Sequence, residues 1–247
     1  ETLNHLQGNT YANSTFVTVG DNGTILTSSD GTTWTSRTSG TSNDLRGVTY
    51  GNGLFVIVGY SGTILTSSDG STWTSRTSGT SNILLGVTYG NGTFVTVGFS
   101  GRILTSSDGV TWTQRTSGIS EQLRGITYGN GLFVTVGTSG TILTSSNGTS
   151  WTQRTSGSSE ILRGVTYGNG LYVIVGYSGT ILTSSDGSTW TSRTSGTSNI
   201  LLGVTYGNGT FVTVGYSGTI LTSSNGTSWT SRTSGTSDHF LGVTYSQ

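Results

Sequence analysis

Short runs of alternating apolar and polar residues recur along the chain and are separated by turns rich in Gly, Asn and Ser. In a representative unit, residues 45–50 alternate, and residues 54–60 are β-branched and aromatic, so both are predicted to be strands, here named A and B. Residues 51–53 form the turn between them, because Gly and Asn tolerate positive φ. This pattern predicts an antiparallel hairpin.

The same unit continues with two more predicted strands, C (residues 63–68) and D (residues 71–77). Ser61-Gly62 is a tight turn before strand C, and Asp69-Gly70 is a two-residue hairpin signal before strand D. A loop over residues 79–82 leads to the next strand A. No segment is predicted to be a helix.

This unit recurs with a period of 39 residues, which a repeated Trp marks at positions 34, 73, 112, 151, 190 and 229. Four short antiparallel strands per unit of about 40 residues are typical of a β-propeller blade. The predicted fold is therefore all-β, a single six-bladed β-propeller over residues 1–247, with repeats at about 8–46, 47–85, 86–124, 125–163, 164–202 and 203–241 and an extra strand-A copy at 242–247. A parallel solenoid is disfavoured, because two-residue turns require antiparallel hairpins.

Strand A occurs seven times, but a closed six-bladed ring has room for only one of the two terminal copies. The N-terminal copy has the polar Asn9 where the other copies have Val or Ile, including Val243. We therefore predict that the C-terminal copy, residues 239–245, completes the first blade and closes the ring by pairing the chain ends. The reverse assignment stays open as the alternative.

Composition narrows the class of function. Net charge is zero, charged residues are 8% of the chain, and all ten basic residues are Arg without any run of one sign, which argues against a nucleic-acid or anionic-membrane surface. No continuous apolar stretch approaches the length of a membrane span. With no Cys there is no disulfide, zinc thiolate or thiol nucleophile. Because Met is absent even at position 1, we expect an N-terminus that was trimmed, processed or engineered.

The Ser-x-Asp-Gly-x-Thr-Trp stretch resembles an Asp-box, the hairpin motif of sialidase-type propellers. The longer unit, with its Val-Gly-x-Ser-Gly-Thr-Ile-Leu run, resembles repeats of photosystem II assembly factor propellers and related bacterial Asp-box proteins. The resemblance covers nearly the whole chain and implies a propeller fold and an assembly role. The motif departs at one point: Asp30, Asp69, Asp108 and Asp186 stand four residues before Trp, whereas the usual spacing is five.

Near-identical units offer little asymmetric chemistry, so no catalytic, metal or cofactor site is predicted. His5 and His239 are the only His and lie in the terminal strand-A copies. Asn147 and Asn225 replace the turn Asp in two units, which favours a turn role over a metal or acid–base role. The Trp series is predicted to pack between blades, with an aromatic platform for a sugar as the alternative. Arg on strand D is predicted to protect the sheet edge, with a repeated ligand contact as the alternative.

Variation between units concentrates in the D–A loops and B–C turns, which share one face of a propeller. Asp44, Glu121 and Glu160 are expected to pair with the Arg two or three residues further on. Aromatic and Arg side chains on such a face suit carbohydrate or protein binding. The candidate ligand-binding residues are Tyr60, Phe99, Tyr177, Tyr216, Arg46, Arg124 and Arg163.

The predicted function is a non-catalytic, multivalent binding module, lectin-like or protein-binding, in which weak sites gain strength through avidity. The alternatives are an assembly scaffold with one asymmetric partner surface, or a recently amplified or engineered repeat with no evolved ligand. An enzyme is not predicted. The expected protein is a monomer; no compartment is fixed by the sequence, and a secreted or cell-surface location is the expectation.

Overall fold

The computed structural model describes residues 4–245, and the fold is an all-β propeller of six four-stranded antiparallel sheets. In each sheet the strands follow chain order from the central channel outward, so that strand A is innermost and strand D outermost. The predicted six-bladed propeller is confirmed. No helix in the described part of the chain is long and apolar enough to cross a membrane.

The first three blades are β1 (Leu6–Ala12), β2 (Thr15–Gly20), β3 (Ile25–Ser28) and β4 (Thr35–Arg37); β5 (Leu45–Gly51), β6 (Leu54–Gly59), β7 (Ile64–Ser67) and β8 (Thr74–Arg76); and β9 (Leu84–Gly90), β10 (Thr93–Gly98), β11 (Ile103–Ser106) and β12 (Thr113–Arg115). The last three are β13 (Leu123–Gly129), β14 (Leu132–Gly137), β15 (Ile142–Ser145) and β16 (Thr152–Arg154); β17 (Leu162–Gly168), β18 (Leu171–Gly176), β19 (Ile181–Ser184) and β20 (Thr191–Arg193); and β21 (Leu201–Gly207), β22 (Thr210–Gly215), β23 (Ile220–Ser223) and β24 (Thr230–Arg232).

Two connections match the prediction and one does not. The A–B turn has Asn52 and Gly53 at positive φ, and the B–C turn is a single 3-10 turn with Ser61 at φ 53°. The predicted two-residue hairpin at Asp69-Gly70 is wrong, because β7 ends at Ser67 and β8 begins only at Thr74. The intervening residues form a loop that side-chain hydrogen bonds hold, so strand D is shorter than predicted.

The core lies between blades. Val17, Val19 and Ile25 of the first blade pack against Phe55 and Ile57 of the second. Equivalent clusters join each later pair of blades up to the fifth and sixth. No cluster of this kind joins the sixth blade to the first among residues 4–245.

The prediction that the C-terminal copy completes the first blade is wrong. β1 pairs with β2 in the register Gly8↔Val19 and Tyr11↔Phe16, so the N-terminal copy holds that place. The polarity of Asn9 was a poor guide because its position lines the central channel, where the equivalent Val165 is also partly exposed. The C-terminal copy, here called the C-terminal segment (residues 239–245), lies between the sixth and first blades; residues 246 and 247 of the predicted extra copy lie outside the described residues.

Seven inner segments therefore surround the channel: six strands A and the C-terminal segment. Each meets the next at a Gly of the same repeat position, where the two backbones approach closely. A Cβ on Gly47 would lie 3.1 Å from the Leu85 carbonyl oxygen, and one on Gly242 would lie 3.4 Å from that of Gln7. A Cβ on Gly203 would lie 3.3 Å from the Gly242 Cα. The C-terminal segment thus occupies a seventh inner position that has no outer strands.

Candidate functional site

The D–A loops and B–C turns meet on one face, as the repeat pattern predicts. The Tyr60 amide donates to the Asp44 carbonyl oxygen at 2.8 Å, and the Gly101 amide donates to the Glu121 carbonyl oxygen at 2.8 Å. The first contact lies within a blade and the second joins neighbouring blades. The variable residues of the units are therefore held together on a single face by backbone hydrogen bonds.

A β-bulge in each strand A directs one side chain toward the channel mouth on that face. In the second blade Leu45 pairs with Gly59 and Gly47 pairs with Val58, so Arg46 is the extra residue between them. Bulges commonly re-aim a side chain in this way. The same register shift occurs in the other five strands A.

The bulge residues converge on one cavity of about 400 Å³, here called the axial cavity. One residue from each of the seven inner segments contributes to its lining, and two aromatic residues of the B–C turns join them. The lining residues are Gln7, Arg46, Leu85, Arg124, Arg163, Leu202, Leu241, Tyr60 and Phe99. Nearly identical repeats thus build one asymmetric site on the propeller axis.

Arg46 is the one axial guanidinium with acidic partners within residues 4–245. It contacts Asp44 at 3.1 Å and Asp21 at 3.9 Å, and it donates to the Tyr60 hydroxyl at 3.1 Å. The guanidinium carbon also lies 4.7 Å from the centre of the Tyr60 ring, a cation–π distance. These contacts fix Arg46 in place and offset its charge.

Arg124 and Arg163 form no ion pair within the described residues. Arg124 donates to the Gln122 side-chain oxygen at 2.9 Å, and its buried Nε has no hydrogen-bond partner there. Burial lowers the pKa of both guanidinium groups, and for Arg163 the positive charges of Arg124 and Arg46 lower the pKa further. A guanidinium stays charged in proteins, so the cavity holds two partly buried cations that have no ion-pairing carboxylate among residues 4–245.

Five of the seven sequence-predicted site residues line this cavity: Tyr60, Phe99, Arg46, Arg124 and Arg163. The other two, Tyr177 and Tyr216, lie outside the lining but close enough to Arg163 to raise its pKa. The expected Arg46–Asp44 pair is present, whereas the expected pairs of Glu121 and Glu160 with Arg124 and Arg163 are wrong.

Gln7, Leu85, Leu202 and Leu241 are site residues that the sequence argument missed. They share a repeat position with Arg46, so the repeat alignment carried the signal. The sequence pattern did not predict the β-bulge, which turns the side chain at this position toward the propeller axis.

The turn Asp residues cap their loops. In the third unit the Asp108 Oδ1 accepts hydrogen bonds from the Val110 and Thr111 amides, both at 2.8 Å, and from the Ser106 hydroxyl at 2.9 Å. These hydrogen bonds lower the pKa of Asp108 to about 2, and the bond from the Thr111 amide has the largest effect. The Asn147 Oδ1 accepts from equivalent groups, which confirms the turn role.

The remaining candidates also have structural roles. Trp73 packs against the cluster between the first and second blades, with its ring 6.4 Å from that of Phe55. The Arg76 Nε donates to the Thr66 hydroxyl of the adjacent strand at 2.9 Å, which holds Arg on its own sheet. His239 stacks on Tyr216 at 4.0 Å. Residues 4–245 contain no group of three or more His, Cys, Asp or Glu that could hold a metal ion.

Two open grooves of about 720 and 690 Å³ recur at equivalent places beside strand D of the third and sixth blades. The first is lined by Ser100, Arg115 and Glu121, and the second by Ser217 and Arg232. Their linings are mainly polar. They are repeated sites, in contrast to the single axial cavity.

Comparison with protein-family models and with curated proteins gives no match. Solved structures do match. YCF48 bound to D1 peptide superposes with a TM-score of 0.74 at 19% sequence identity, and the match covers 92% of this chain and 80% of that chain. The WD40 β-propeller domain of Doa1 gives a TM-score of 0.76 at 16% identity, with 98% and 86% covered, and the computationally designed Ika8 protein gives 0.71 at 12% identity, with 99% and 91% covered. At these identities the likeness shows that this chain has a β-propeller fold. YCF48 is a photosystem II assembly factor, so one neighbour is of the resembled kind, whereas the Asp-box assignment remains a prediction.

Proposed function

We propose that this propeller is a non-catalytic protein-binding module whose axial cavity receives an acidic segment of its partner. The observation that carries the proposal is the convergence of Arg124 and Arg163, which have no acidic partner among residues 4–245, with Arg46 on one cavity. Desolvated guanidinium groups bind carboxylates through strong, charge-assisted hydrogen bonds. One solved neighbour is a propeller bound to a peptide, which agrees with this kind of ligand.

The cavity favours one axial ligand for each chain over six equivalent ones. Its seven lining positions on the inner segments carry Arg, Leu and Gln in an irregular order, so the site has no rotational symmetry. Tyr60 and Phe99 supply an aromatic wall beside the cations. A partner segment with carboxylates next to an apolar side chain would match both parts of the lining.

The test is binding of a fluorescently labelled deca-glutamate peptide, measured by anisotropy with stoichiometry from titration calorimetry. We expect one peptide per chain, with affinity that falls as salt rises. The double variant Arg124→Leu, Arg163→Leu carries the residue that other repeats have at the same position, Leu85 and Leu202, and should fold. It should weaken binding by roughly tenfold or more.

The control is Arg102→Thr, which removes one positive charge outside the axial cavity and installs the residue found at Thr63; it is matched in charge to Arg124→Leu alone, which is measured beside it. It should leave the affinity nearly unchanged. Equal losses in both variants would reduce the effect to net charge and contradict the axial site. Absence of binding to the wild type would favour an assembly surface of other chemistry or a repeat with no evolved ligand.

A second candidate is carbohydrate binding, which the repeated polar grooves favour. A glycan-array screen tests it. Hits with several sugars bound per chain would support a multivalent lectin. None of Tyr60, Phe99, Tyr177 and Tyr216 lines these grooves, so hits that survive the change of all four to Ala would support sites in the grooves. Loss of the hits would instead place the sites at the B–C turns, and a blank array would contradict the lectin for the glycans tested.

A further inference from the structure

The seam between the sixth and first blades is unlike the other five. Each closed seam buries a Phe or Tyr and a Leu of one blade against aliphatic residues of the blade before it: Phe55 is 0% exposed and Leu65 is 1% exposed. At the open seam the equivalent Phe16 and Leu26 are partly exposed, and Trp34 is 41% exposed. The first blade thus presents an uncovered apolar face.

The opposite wall of the seam is uncovered too. Val17 and Ile25 are fully buried against the second blade, whereas the equivalent Val212 and Ile220 of the sixth blade are partly exposed. A mainly apolar groove of about 870 Å³ runs along the first blade, bounded by Phe16, Leu26 and Trp34 on one side and by the C-terminal segment on the other. Both faces that would enclose a further blade are therefore present.

The C-terminal segment supplies the backbone for that blade. Gly207 faces the Tyr245 ring as Gly51 faces the Tyr89 ring, so the segment stands where a seventh strand A would stand. The Phe240 amide donates to the Gly215 carbonyl oxygen at 3.1 Å, but residues 241–245 make no backbone hydrogen bond within the described chain. In every complete blade those groups pair with strand B. Unpaired strand edges recruit other strands.

We propose that this seam binds an extended segment of another polypeptide, which adds to the C-terminal segment as an antiparallel β-strand. The repeat fixes the chemistry of the occupant: an aromatic residue, Val, any residue, Val, Gly, as in Thr210–Gly215. Strand addition combines backbone hydrogen bonds with pockets for alternate side chains. In the second to fifth blades a strand B of this pattern is enclosed by the same two walls, one from each neighbouring blade.

The register follows from the complete blades. Tyr206 opposes Phe211, and Gly203 opposes Val214, so the bound aromatic residue lies opposite Tyr245 and the second Val lies opposite Gly242. The aromatic side chain then faces the sixth blade. Both Val side chains face the first blade, where Phe16 and Leu26 lie.

The experiment titrates the full-length protein with a labelled synthetic peptide of residues 208–233, which spans the outer strands of the last unit. We expect one peptide per chain and new amide-exchange protection at residues 241–245. The control peptide exchanges Phe211 and Val212, which keeps composition but reverses the two faces. It should bind roughly tenfold more weakly or worse, because its aromatic ring faces the wrong wall.

The matched protein variants are Leu26→Arg, in the groove, and Thr33→Arg, on an exposed loop of the same blade. The groove variant should weaken binding roughly tenfold or more, since it places a charge against apolar surface, and the loop variant should not. Equal binding of both peptides, or no protection of residues 241–245, overturns the proposal. So does a dimer of the protein alone that Leu26→Arg converts to monomer, because the occupant would then be a second copy. Loss of deca-glutamate binding has no bearing on this result, since the axial cavity is a separate site.

Discussion

At the scale of single residues, the turn Asp shows how one side chain replaces a hairpin. Its Oδ1 accepts two backbone amides and one hydroxyl, so a loop of six residues keeps its shape without strand pairing. Asn147 and Asn225 provide the same acceptor without charge. Asp therefore adds only the extra strength of an ionised acceptor.

That difference predicts a pH effect. Hydrogen bonds to the loop lower the pKa of Asp108 and Asp186 to about 2 and also lower those of Asp30 and Asp69, from a usual value of 3.8. A lowered folded-state pKa contributes stability that is complete above the unfolded pKa and is lost as pH falls through the folded pKa.

The variant with all four Asp changed to Asn should therefore be somewhat less stable than wild type at pH 7. The gap should narrow as pH falls from about 4 towards 2. Urea denaturation at several pH values measures it. A gap that stays constant with pH would show that the carboxylate charge contributes nothing to the loops.

At the scale of the strands, the pattern predicted A, B and C closely, because strand A alternates and strands B and C carry runs of buried residues. Strand B was predicted over residues 54–60 and spans Leu54–Gly59. Strand D was overestimated because Ser71 and Thr72 have β-compatible side chains, yet their amides bond to Asp69. Local hydrogen bonding of this kind leaves no hydrophobic signal in the sequence.

The axial site was predicted only in part for a related reason. The variable residues Arg46, Arg124 and Arg163 were found from differences between units. Their convergence on one axis depends on the bulge between Leu45 and Gly47, and hydrophobic patterning does not report a bulge.

Packing between blades can be tested with a pair of substitutions at the same repeat position, one in a closed seam and one in the open seam. Phe133 and Phe16 have the same neighbours in their own blades: Phe133 lies 4.6 Å from Tyr128 and 6.4 Å from Trp151, and Phe16 lies 4.4 Å from Tyr11 and 6.3 Å from Trp34. They differ in the blade before them. Phe133 is fully buried against Val95 and Val97, while Phe16 faces the open seam.

Phe133→Ala should lower the free energy of unfolding by about 3–5 kcal/mol, because it opens a cavity between two blades. Phe16→Ala should cost roughly half of that or less, since its side chain is already partly solvated. Urea denaturation of both variants measures the difference. Equal losses would indicate that the seam is closed in solution.

At the scale of the whole molecule, packing between neighbouring units explains both why the units are alike and why the ring has one incomplete position. Each unit contacts mainly its neighbours, so near-copies stack in the same way around the ring. Seven inner segments and six sets of outer strands then leave one position incomplete. The sequence contains seven copies of strand A for six sets of outer strands. The polar Asn9 does not indicate which terminal copy pairs with β2, because both terminal copies line the channel.

Amide hydrogen exchange separates the two possible pairings of the chain ends. With β1 in the first blade, residues 7–12 should be protected through their bonds to β2, and residues 241–245 should exchange quickly because their amides lack backbone partners within the described chain. β21 has the same sequence pattern as the C-terminal segment and a complete partner, so its amides serve as the internal reference. The opposite result, a protected C-terminal segment and a rapidly exchanging β1, would mean that the C-terminal copy has replaced β1. Blades six and one would then pack directly, Phe16 and Leu26 would be covered, and no seam would remain to bind a strand.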